Sequence, residues 1–369
     1  MKKICCLNNI SSRGTDLLGA DYELVKEIEG ADAVLVRSAS MHEMELPATL
    51  KAIARAGGGV NNIPLEKCAD KGIVVFNAPG ANANAVKELV LAGMLLASRD
   101  IIGGVEWDMA NKDNPDVSKD AEKAKKQFAG TEIAGKTLGI IGLGAIGHKL
   151  ALAAMALDMN VIGYDPYLEL TDVPMTKDLD EVYRKGDFIS IHVPLLPDTR
   201  EMIDKEAIGK MKDGVIVLNY ARDLLVNEQD MAEALRSGKV RRYMCDFANP
   251  HTLAMENAVV TPHLGASTEE SEENCAVMAV EEVTNYLEHG NIINSVTFPR
   301  VDKGVPEKPV RLGIFYKGTD ALPALKNLLG DDVAGAMRGT YGYAIADLDA
   351  EPDLAALSGV DGVFKVRRI

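Results

Sequence analysis

From residue 136 onward, short runs of consecutive apolar residues alternate with stretches whose apolar positions recur at helical spacing; the runs are 136–142, 160–165, 187–193, 214–219 and 258–261. A strand that lacks polar residues at alternate positions is buried on both faces, as happens when crossover helices cover both sides of a parallel sheet. Shorter runs at 31–37, 52–56 and 72–77 predict a smaller domain of the same kind ahead of it. The stretch 267–289 carries Ala, Val and Met at helical spacing among many Glu residues and predicts a long helix that returns to the first domain. Pro299, Pro306 and Pro309 then interrupt the periodicity. Beyond them the pattern reads strand 310–316, helix 321–329, strands 333–338 and 343–348, helix 352–357 and strand 363–367, a βαββαβ order. The expected fold class is α/β, with two doubly wound parallel-sheet domains and a C-terminal βαββαβ domain. The expected division is 1–97 for the first domain, completed by 267–300, then 98–266 for the second, 301–309 for a linker and 310–369 for the last.

At 369 residues the chain exceeds what one hydrophobic core organises. The longest apolar stretches are too short to span a bilayer, and the Met-Lys-Lys start leads into no secretory-signal core, so a cytoplasmic setting without a membrane partner is expected. Cys5, Cys6, Cys68, Cys245 and Cys275 form no C-x-x-C pair and no Cys/His ligand spacing, which predicts reduced thiols and no metal site. A formal net charge of −15 repels polyanions and no Lys/Arg cluster counters it, so nucleic acid is not an expected partner. A small anion fits such a field only where arginines gather locally.

Gly142-Leu-Gly144-Ala-Ile-Gly147 follows the 136–142 strand and opens a helix. Glycines at this spacing let the backbone turn tightly and bring a dinucleotide's pyrophosphate onto free N–H groups at a helix N-terminus. The next strand ends in Asp165, placed to accept hydrogen bonds from an adenosine ribose diol and to repel a 2′-phosphate. That predicts NAD over NADP and makes the fold Rossmann-like. Arg222 follows the 214–219 strand in Leu218-Asn-Tyr-Ala-Arg222, at the carboxyl-end crevice where open α/β sheets bind ligands. A guanidinium there can grip a carboxylate through two parallel hydrogen bonds and polarise the neighbouring carbonyl; a surface salt bridge is its plainer use. His263 stands at another strand end in Thr261-Pro-His263-Leu-Gly-Ala-Ser267, and histidine suits proton movement near neutral pH. An arginine and a histidine at two strand ends of a dinucleotide-binding sheet predict hydride transfer on a small anionic 2-hydroxy acid. Arg222 would hold the carboxylate and His263 would take the hydroxyl proton.

Further segments are Val34-Leu-Val-Arg37-Ser-Ala, Arg55-Ala-Gly-Gly-Gly-Val-Asn-Asn-Ile63, Asn77-Ala-Pro-Gly-Ala-Asn82, His192-Val-Pro-Leu-Leu-Pro197 and Thr261-Pro-His-Leu-Gly-Ala-Ser-Thr268. With them the chain resembles the D-2-hydroxyacid dehydrogenases over most of its length before the prolines, and the phosphoglycerate dehydrogenases in particular. The resemblance implies NAD-dependent oxidation of D-3-phosphoglycerate, the first step of serine biosynthesis. It implies that Gly57 and Gly58 present backbone N–H groups to the substrate carboxylate, and that Arg37 with Ser38, and Arg55, hold the 3-phosphate. On the cofactor side it implies Gly58, Gly142, Gly144, Ala145, Ile146, Gly147, Asp165, Val193, Tyr220, Ala221, Arg222, Asp246, His263, Gly265 and Ala266. Members are homodimers or higher homo-oligomers joined through the nucleotide domain. The C-terminal domain resembles an ACT domain, a module that senses serine in many phosphoglycerate dehydrogenases.

The chain departs from the family in several places. Lys317 to Pro323 replace the family's effector-binding turn, so serine is not expected to act as a strong effector. Ala145 stands where an arginine is common. The Glu that holds the catalytic imidazole is missing from Cys245-Asp-Phe-Ala-Asn-Pro250, where Asn249 aligns with it and offers an amide that can orient a ring but adds no charge. A hydroxypyruvate or glyoxylate reductase would share Arg222 and His263 without needing Arg37 and Arg55. A non-catalytic NAD-sensing regulator is the alternative from another class, and the Arg222 and His263 pair argues against it, since fold alone does not decide function.

Overall fold

The computed structural model describes residues 1–369. They divide into two compact units, Met1–Asn82 with Thr268–Ile369, and Ala83–Ser267. In the first unit, Lys2–Cys6 (β1), Tyr22–Val25 (β2), Ala33–Val36 (β3), Ala52–Arg55 (β4) and Val74–Asn77 (β5) pair in parallel in the order β2-β1-β3-β4-β5. β3, β4 and β5 are buried except at the carboxyl-terminal Arg55 and Asn77, so their polar residues collect at one edge. The Glu269–His289 helix returns as its periodicity predicts and packs Cys275, Ala276, Ala279, Val280 and Val283 into the core over this sheet.

In the second unit, Thr137–Ile141 (β6), Asn160–Tyr164 (β7), Met175–Thr176 (β8), Phe188–Ile191 (β9), Val215–Asn219 (β10), Val240–Cys245 (β11) and Ala258–Val260 (β12) form a parallel sheet in the order β12-β11-β10-β9-β6-β7-β8. Alternate residues of one strand enter opposite cores: Val215 and Val217 of β10 join Ile189 and Ile191, whereas Ile216 and Leu218 join Leu138, Ile140 and Phe188. Both faces are thus covered, which is why the strands read as unbroken apolar runs. β11 escapes that signal because Arg241 and Arg242 interrupt it; Arg242 lies 3.1 Å from Asp100. The strand order reverses at β6, with β7 on one side and β9 on the other, and such a switch point opens a crevice at the strands' carboxyl ends.

The expected boundary at residue 97 moves to Asn82, since the Ala83–Ser98 helix sends Val86, Val90, Met94 and Ala97 into the second unit's core. The C-terminal strands Val310–Lys317 (β13), Val333–Arg338 (β14), Tyr341–Leu348 (β15) and Val363–Arg368 (β16) pair antiparallel in the order β14-β15-β13-β16. With the Ala321–Leu329 and Leu354–Ser358 helices they complete the predicted βαββαβ order. One face of this sheet buries Leu312, Ile314 and Tyr316 with Leu325 and Leu357 of those helices. Its other face carries Phe315, Tyr343 and Ile345 into the same core as Phe76, Tyr286 and Phe298. The 310–369 segment therefore shares a core with the first domain instead of standing apart.

The expected linker is also partly packed: Val301 exchanges backbone hydrogen bonds with Ile292 at 2.8 and 2.9 Å, and Lys303 Nζ lies 3.2 Å from Asp347. β13 explains this, because it is apolar on both faces and needs a second cover. No helix is long and apolar enough to cross a membrane.

Arg311, only 2% exposed, locks the seam. Its Nε and Nη2 donate to the two Asp347 oxygens at 2.6 and 2.8 Å, and its Nη1 donates to the His289 and Gly304 carbonyls at 3.0 and 2.6 Å. Burial pushes the Asp347 carboxyl up, but the hydrogen bonds from Arg311 and Lys303 outweigh it and leave it below its usual value. Breaking a buried pair by removing one partner costs about 3–5 kcal/mol. Arg311→Met is expected to lose stability of that order in urea denaturation at pH 7. A carboxyl held low in the fold contributes its stability above its unfolded value of about 3.9 and loses it as pH falls through the folded value, so the deficit of Arg311→Met should shrink in acid. A variant as stable as the parent at pH 7 would show that the pair is not what joins the C-terminal sheet to its neighbour.

Candidate active site

Because the strands of the second unit are parallel, the turns that follow β6, β7, β9, β10, β11 and β12 all lie at one edge. Gly142 takes φ +93°, and a Cβ there would stand 2.6 Å from the His192 carbonyl; at Gly147 it would stand 2.0 Å from the Gly142 carbonyl. These two glycines are required by the turn and by close helix–strand packing. At Gly144 a Cβ would meet nothing within 4 Å, and no side chain caps the Ala145–Ala156 helix that begins there. Packing does not demand glycine at this position, but a pyrophosphate approaching the backbone and a helix N-terminus does. Ala145, Ile146 and Gly147 form the first turn of that helix.

Asp165 Oδ2 accepts from Leu143 N at 3.0 Å, and Oδ1 accepts from Tyr167 N at 2.9 Å. Oδ1 also accepts from Leu168 N at 3.3 Å, so the acid ties the glycine loop to the end of β7 and Oδ2, with one donor, keeps a lone pair for a ribose hydroxyl. These residues fit a dinucleotide.

Further along the same edge, Asn219 shapes the turn that carries Arg222. The Asn219 Nδ2 donates to the Arg222 carbonyl at 2.8 Å, and its Oδ1 accepts from Ala221 N at 3.2 Å. The Arg222 guanidinium is exposed and donates to the Ala221 carbonyl at 2.6 Å. No carboxylate pairs with it, so the surface salt bridge considered as its plainer use is not what holds it.

His263 takes φ +59°, the left-handed region that a non-glycine residue enters only when its surroundings hold it there. Asp246 does the holding. It is 1% exposed; its carbonyl accepts from His263 N at 3.0 Å, Oδ1 from the Thr261 hydroxyl at 2.5 Å and Leu264 N at 2.8 Å, and Oδ2 from Gly265 N at 2.7 Å. The exposed imidazole stands edge-on to Phe247, with ring centroids 5.4 Å apart. No carboxylate orients it.

Asn249 does not take the missing Glu's place. Its Oδ1 caps the Pro250–Leu253 helix by accepting from His251 N and Thr252 N, and its Nδ2 donates to Glu228 at 2.7 Å. The expectation that it orients the His263 ring is corrected, because proline at the first helical position makes Asn249 an N-cap. His192 bonds the Ser190 hydroxyl at 2.8 Å, and burial pushes it down to about 4, which leaves it neutral and without a proton-transfer role near pH 7. Val193, Tyr220 and Ala266 line the same strand-end turns, with Tyr220 nearly buried.

In the first unit, Arg37 and Arg55 follow one another across neighbouring strand ends, where Val36 of β3 is in register with Arg55 of β4. Arg55 Nε donates to the Arg37 carbonyl at 3.1 Å. Arg55 folds under Gly57, where a Cβ would stand 2.1 Å from its Nη1 and where φ is +150°. Gly58 is open, and Asn77 Nδ2 holds its carbonyl at 2.7 Å. The backbone N–H groups of Arg37, Ser38 and Ala39 all donate to Asn8 Oδ1, at 2.9, 3.0 and 3.0 Å. The Ser38 amide is therefore already satisfied, and Asn8 carries a structural role that no motif announced. Arg37 Nη2 also pairs with Glu272 Oε1 at 2.6 Å, a partner that sits 235 residues away in the sequence and gave no local signal.

Residues 92–265 match the family described as D-isomer specific 2-hydroxyacid dehydrogenase, NAD binding domain. Over 300 residues, 76% of this chain, the sequence is 38% identical to the D-3-phosphoglycerate dehydrogenase of Methanocaldococcus jannaschii, and it spans 54% of that protein's length. It is 41% identical over 279 residues to the hydroxypyruvate reductase of Thermotoga maritima, covering 72% of this chain and 88% of that one. The fold matches the crystal structure of cofactor (NAD+)-bound 3-phosphoglycerate dehydrogenase from Entamoeba histolytica with a TM-score of 0.65 at 28% identity, over 80% of this chain and 98% of the other.

The lock on the His263 turn is testable. Asparagine at 246 would turn an N–H₂ group toward at least one donor that now meets an oxygen, and an unsatisfied buried group costs about 1–3 kcal/mol. Asp246→Asn is expected to lower stability by that amount in denaturant titration and to lower the rate of NADH formation. Unchanged stability with full activity would show that the turn holds its left-handed residue without this carboxylate.

Proposed function

Because the chain belongs to the D-isomer specific 2-hydroxyacid dehydrogenases, we propose that it oxidises D-3-phosphoglycerate to 3-phosphohydroxypyruvate with NAD. The observation that carries this choice of substrate is the Arg37 and Arg55 pair. Two arginines at neighbouring strand ends bring positive charge together in a chain of net charge −15, which suits a phosphate monoester. Bound NAD supplies the hydride acceptor. The uncapped N–H groups at Gly144 to Gly147 receive its pyrophosphate and Asp165 its ribose. Arg222, with no competing carboxylate, grips the substrate carboxylate. His263 takes the C2 hydroxyl proton at its ring and returns it in the reverse direction, while Asp246 keeps the turn that presents it.

A second reading, a hydroxypyruvate or glyoxylate reductase, is favoured by the Arg37 and Glu272 ion pair, which offsets part of the patch. In either reading the enzyme is cytoplasmic. Its ACT-like C-terminal domain is held to the first domain by Lys317 and Tyr341 on Asp70, at 2.8 and 2.7 Å, and serine acts on it weakly or not at all.

Purified protein given NAD with D-3-phosphoglycerate or D-glycerate, followed by NADH absorbance, decides between the two. Each arginine contact to the phosphate is worth about 1.5–3 kcal/mol, or roughly 10- to 100-fold. Arg37→Ala and Arg55→Ala should lower kcat/KM for phosphoglycerate relative to glycerate by that factor. Equal losses on both substrates would make the arginines structural and leave the reductase reading in place.

The same reading includes a homodimer. The Ile101–Ala110 helix buries none of its residues and leaves Val105 57% and Met109 63% exposed, an apolar face suited to a second copy of the chain. Val105→Asp with Met109→Asp should shift the sedimenting species from dimer to monomer; an unaltered species would put the interface elsewhere.

A further inference from the structure

Glu272 is a charge paired with Arg37 to which the phosphate reading gives no role. Its Oε1 lies 2.6 Å from Arg37 Nη2, and the two side chains are 43% and 40% exposed. It occupies the first turn of the Glu269–His289 helix, which Thr268 caps by accepting from Ser271 N. Arg55 Nε donates to the Arg37 carbonyl, and Arg37, Arg55 and Glu272 all act electrostatically on the Cys275 thiol, so the three charges lie in one neighbourhood. Beneath them is the buried Cys275, whose thiol burial holds high against the pull of Arg55 and Arg37.

Two features set the sign of what Glu272 does. An ion pair between long, half-exposed side chains holds weakly. A phosphate monoester carries a charge of about −1.5 to −2 near pH 7 and outbids a single carboxylate for the same guanidinium. We propose that Glu272 is a specificity-determining residue that competes with the substrate's phosphate for Arg37: it occupies the guanidinium until a phosphorylated hydroxy acid displaces it. The proposal rests on the reading of Arg37 as a phosphate ligand. Its consequence is a pocket whose two positive charges are partly cancelled, so that preference for the phosphorylated substrate is lower than the arginines alone would produce. A substrate without phosphate has no need to displace the carboxylate.

The test compares the parent enzyme with Glu272→Gln, which keeps size and polarity and removes the charge. Glu273→Gln serves as the control, because Glu273 sits on the same turn but faces Arg13 at 3.6 Å. Glu272→Gln should lower KM for D-3-phosphoglycerate by about three- to fivefold, the worth of an exposed ion pair, with the change in KM and not in kcat. The ratio of kcat/KM for phosphoglycerate over glycerate should rise by the same factor, and added salt should narrow the difference from the parent. The proposal is overturned if Glu272→Gln raises KM as Arg37→Ala does, since Glu272 would then support the guanidinium. It is equally overturned if KM stays put, or if Glu273→Gln gives the same gain through net charge alone. Should the parent itself show no preference for phosphoglycerate, the substrate reading fails by its own measure. Titration of inorganic phosphate into the parent and Glu272→Gln by calorimetry still decides the competition: tighter binding by the variant upholds it, and equal binding ends it.

Discussion

Parallel strand pairing is the constraint from which the rest of the molecule follows. When neighbouring strands run the same way, every carboxyl end arrives at one edge of its sheet, and chemistry carried by residues far apart in sequence collects there. In the second unit that edge gathers the Gly142 loop, Asp165, His192, Arg222, Asp246 and His263; in the first it gathers Arg37, Arg55 and Asn77. The same constraint demands helices on both faces, and those helices make the strands apolar throughout. The pattern that reveals the fold and the placement of polar groups at strand ends are two consequences of one geometry.

In each unit, polar side chains at the strand ends serve the backbone before they serve any ligand. Asn8 collects three consecutive N–H groups, Asn219 closes the turn before Arg222, Asp165 holds Leu143, and Asp246 locks the left-handed His263. Each satisfies donors that a tight turn would otherwise leave orphaned in a part-buried setting. What remains exposed is the set of groups free to act: the Arg222 guanidinium, the His263 ring and the Gly144 backbone, with the half-buried Gly58 open beside its Cα. Reactive groups at the surface and supporting groups beneath them are therefore different residues, and a motif read from sequence records both without separating them.

That distinction explains what was legible in the sequence. Strands such as Val215–Asn219 and the whole C-terminal βαββαβ order follow from hydrophobic pattern, because burial leaves a mark at every position of an element. The Gly142 loop and the His263 turn are legible because their conformations demand glycine or a particular neighbour. β11 is missed because the half-buried Arg241 and Arg242 interrupt a strand whose other residues are buried. The Asn249 error has a similar root: alignment by spacing assigns a position, but proline at 250 commits the preceding residue to a helix cap. Glu272 lies beyond any local reading, since its partner is brought to it by the returning helix.

The treatment of charge separates the two arginine settings in a way that bears on chemistry. Arg311 is buried, and its five donors are committed to Asp347 and backbone carbonyls, so it is fixed and structural. Arg222 donates to one carbonyl and keeps its face open. Arg37 stands between them, paired with a carboxylate that is itself half-exposed. Desolvation decides the difference: an ion pair sealed from water is costly to break, whereas one open to water exchanges partners at little cost. A chain of net charge −15 can hold an anionic substrate only through groups of the second and third kinds, because a guanidinium already sealed to its counterion has nothing left to offer. The capacity of such a chain to bind an anion is therefore set by which arginines the fold leaves in water, more than by how many it contains.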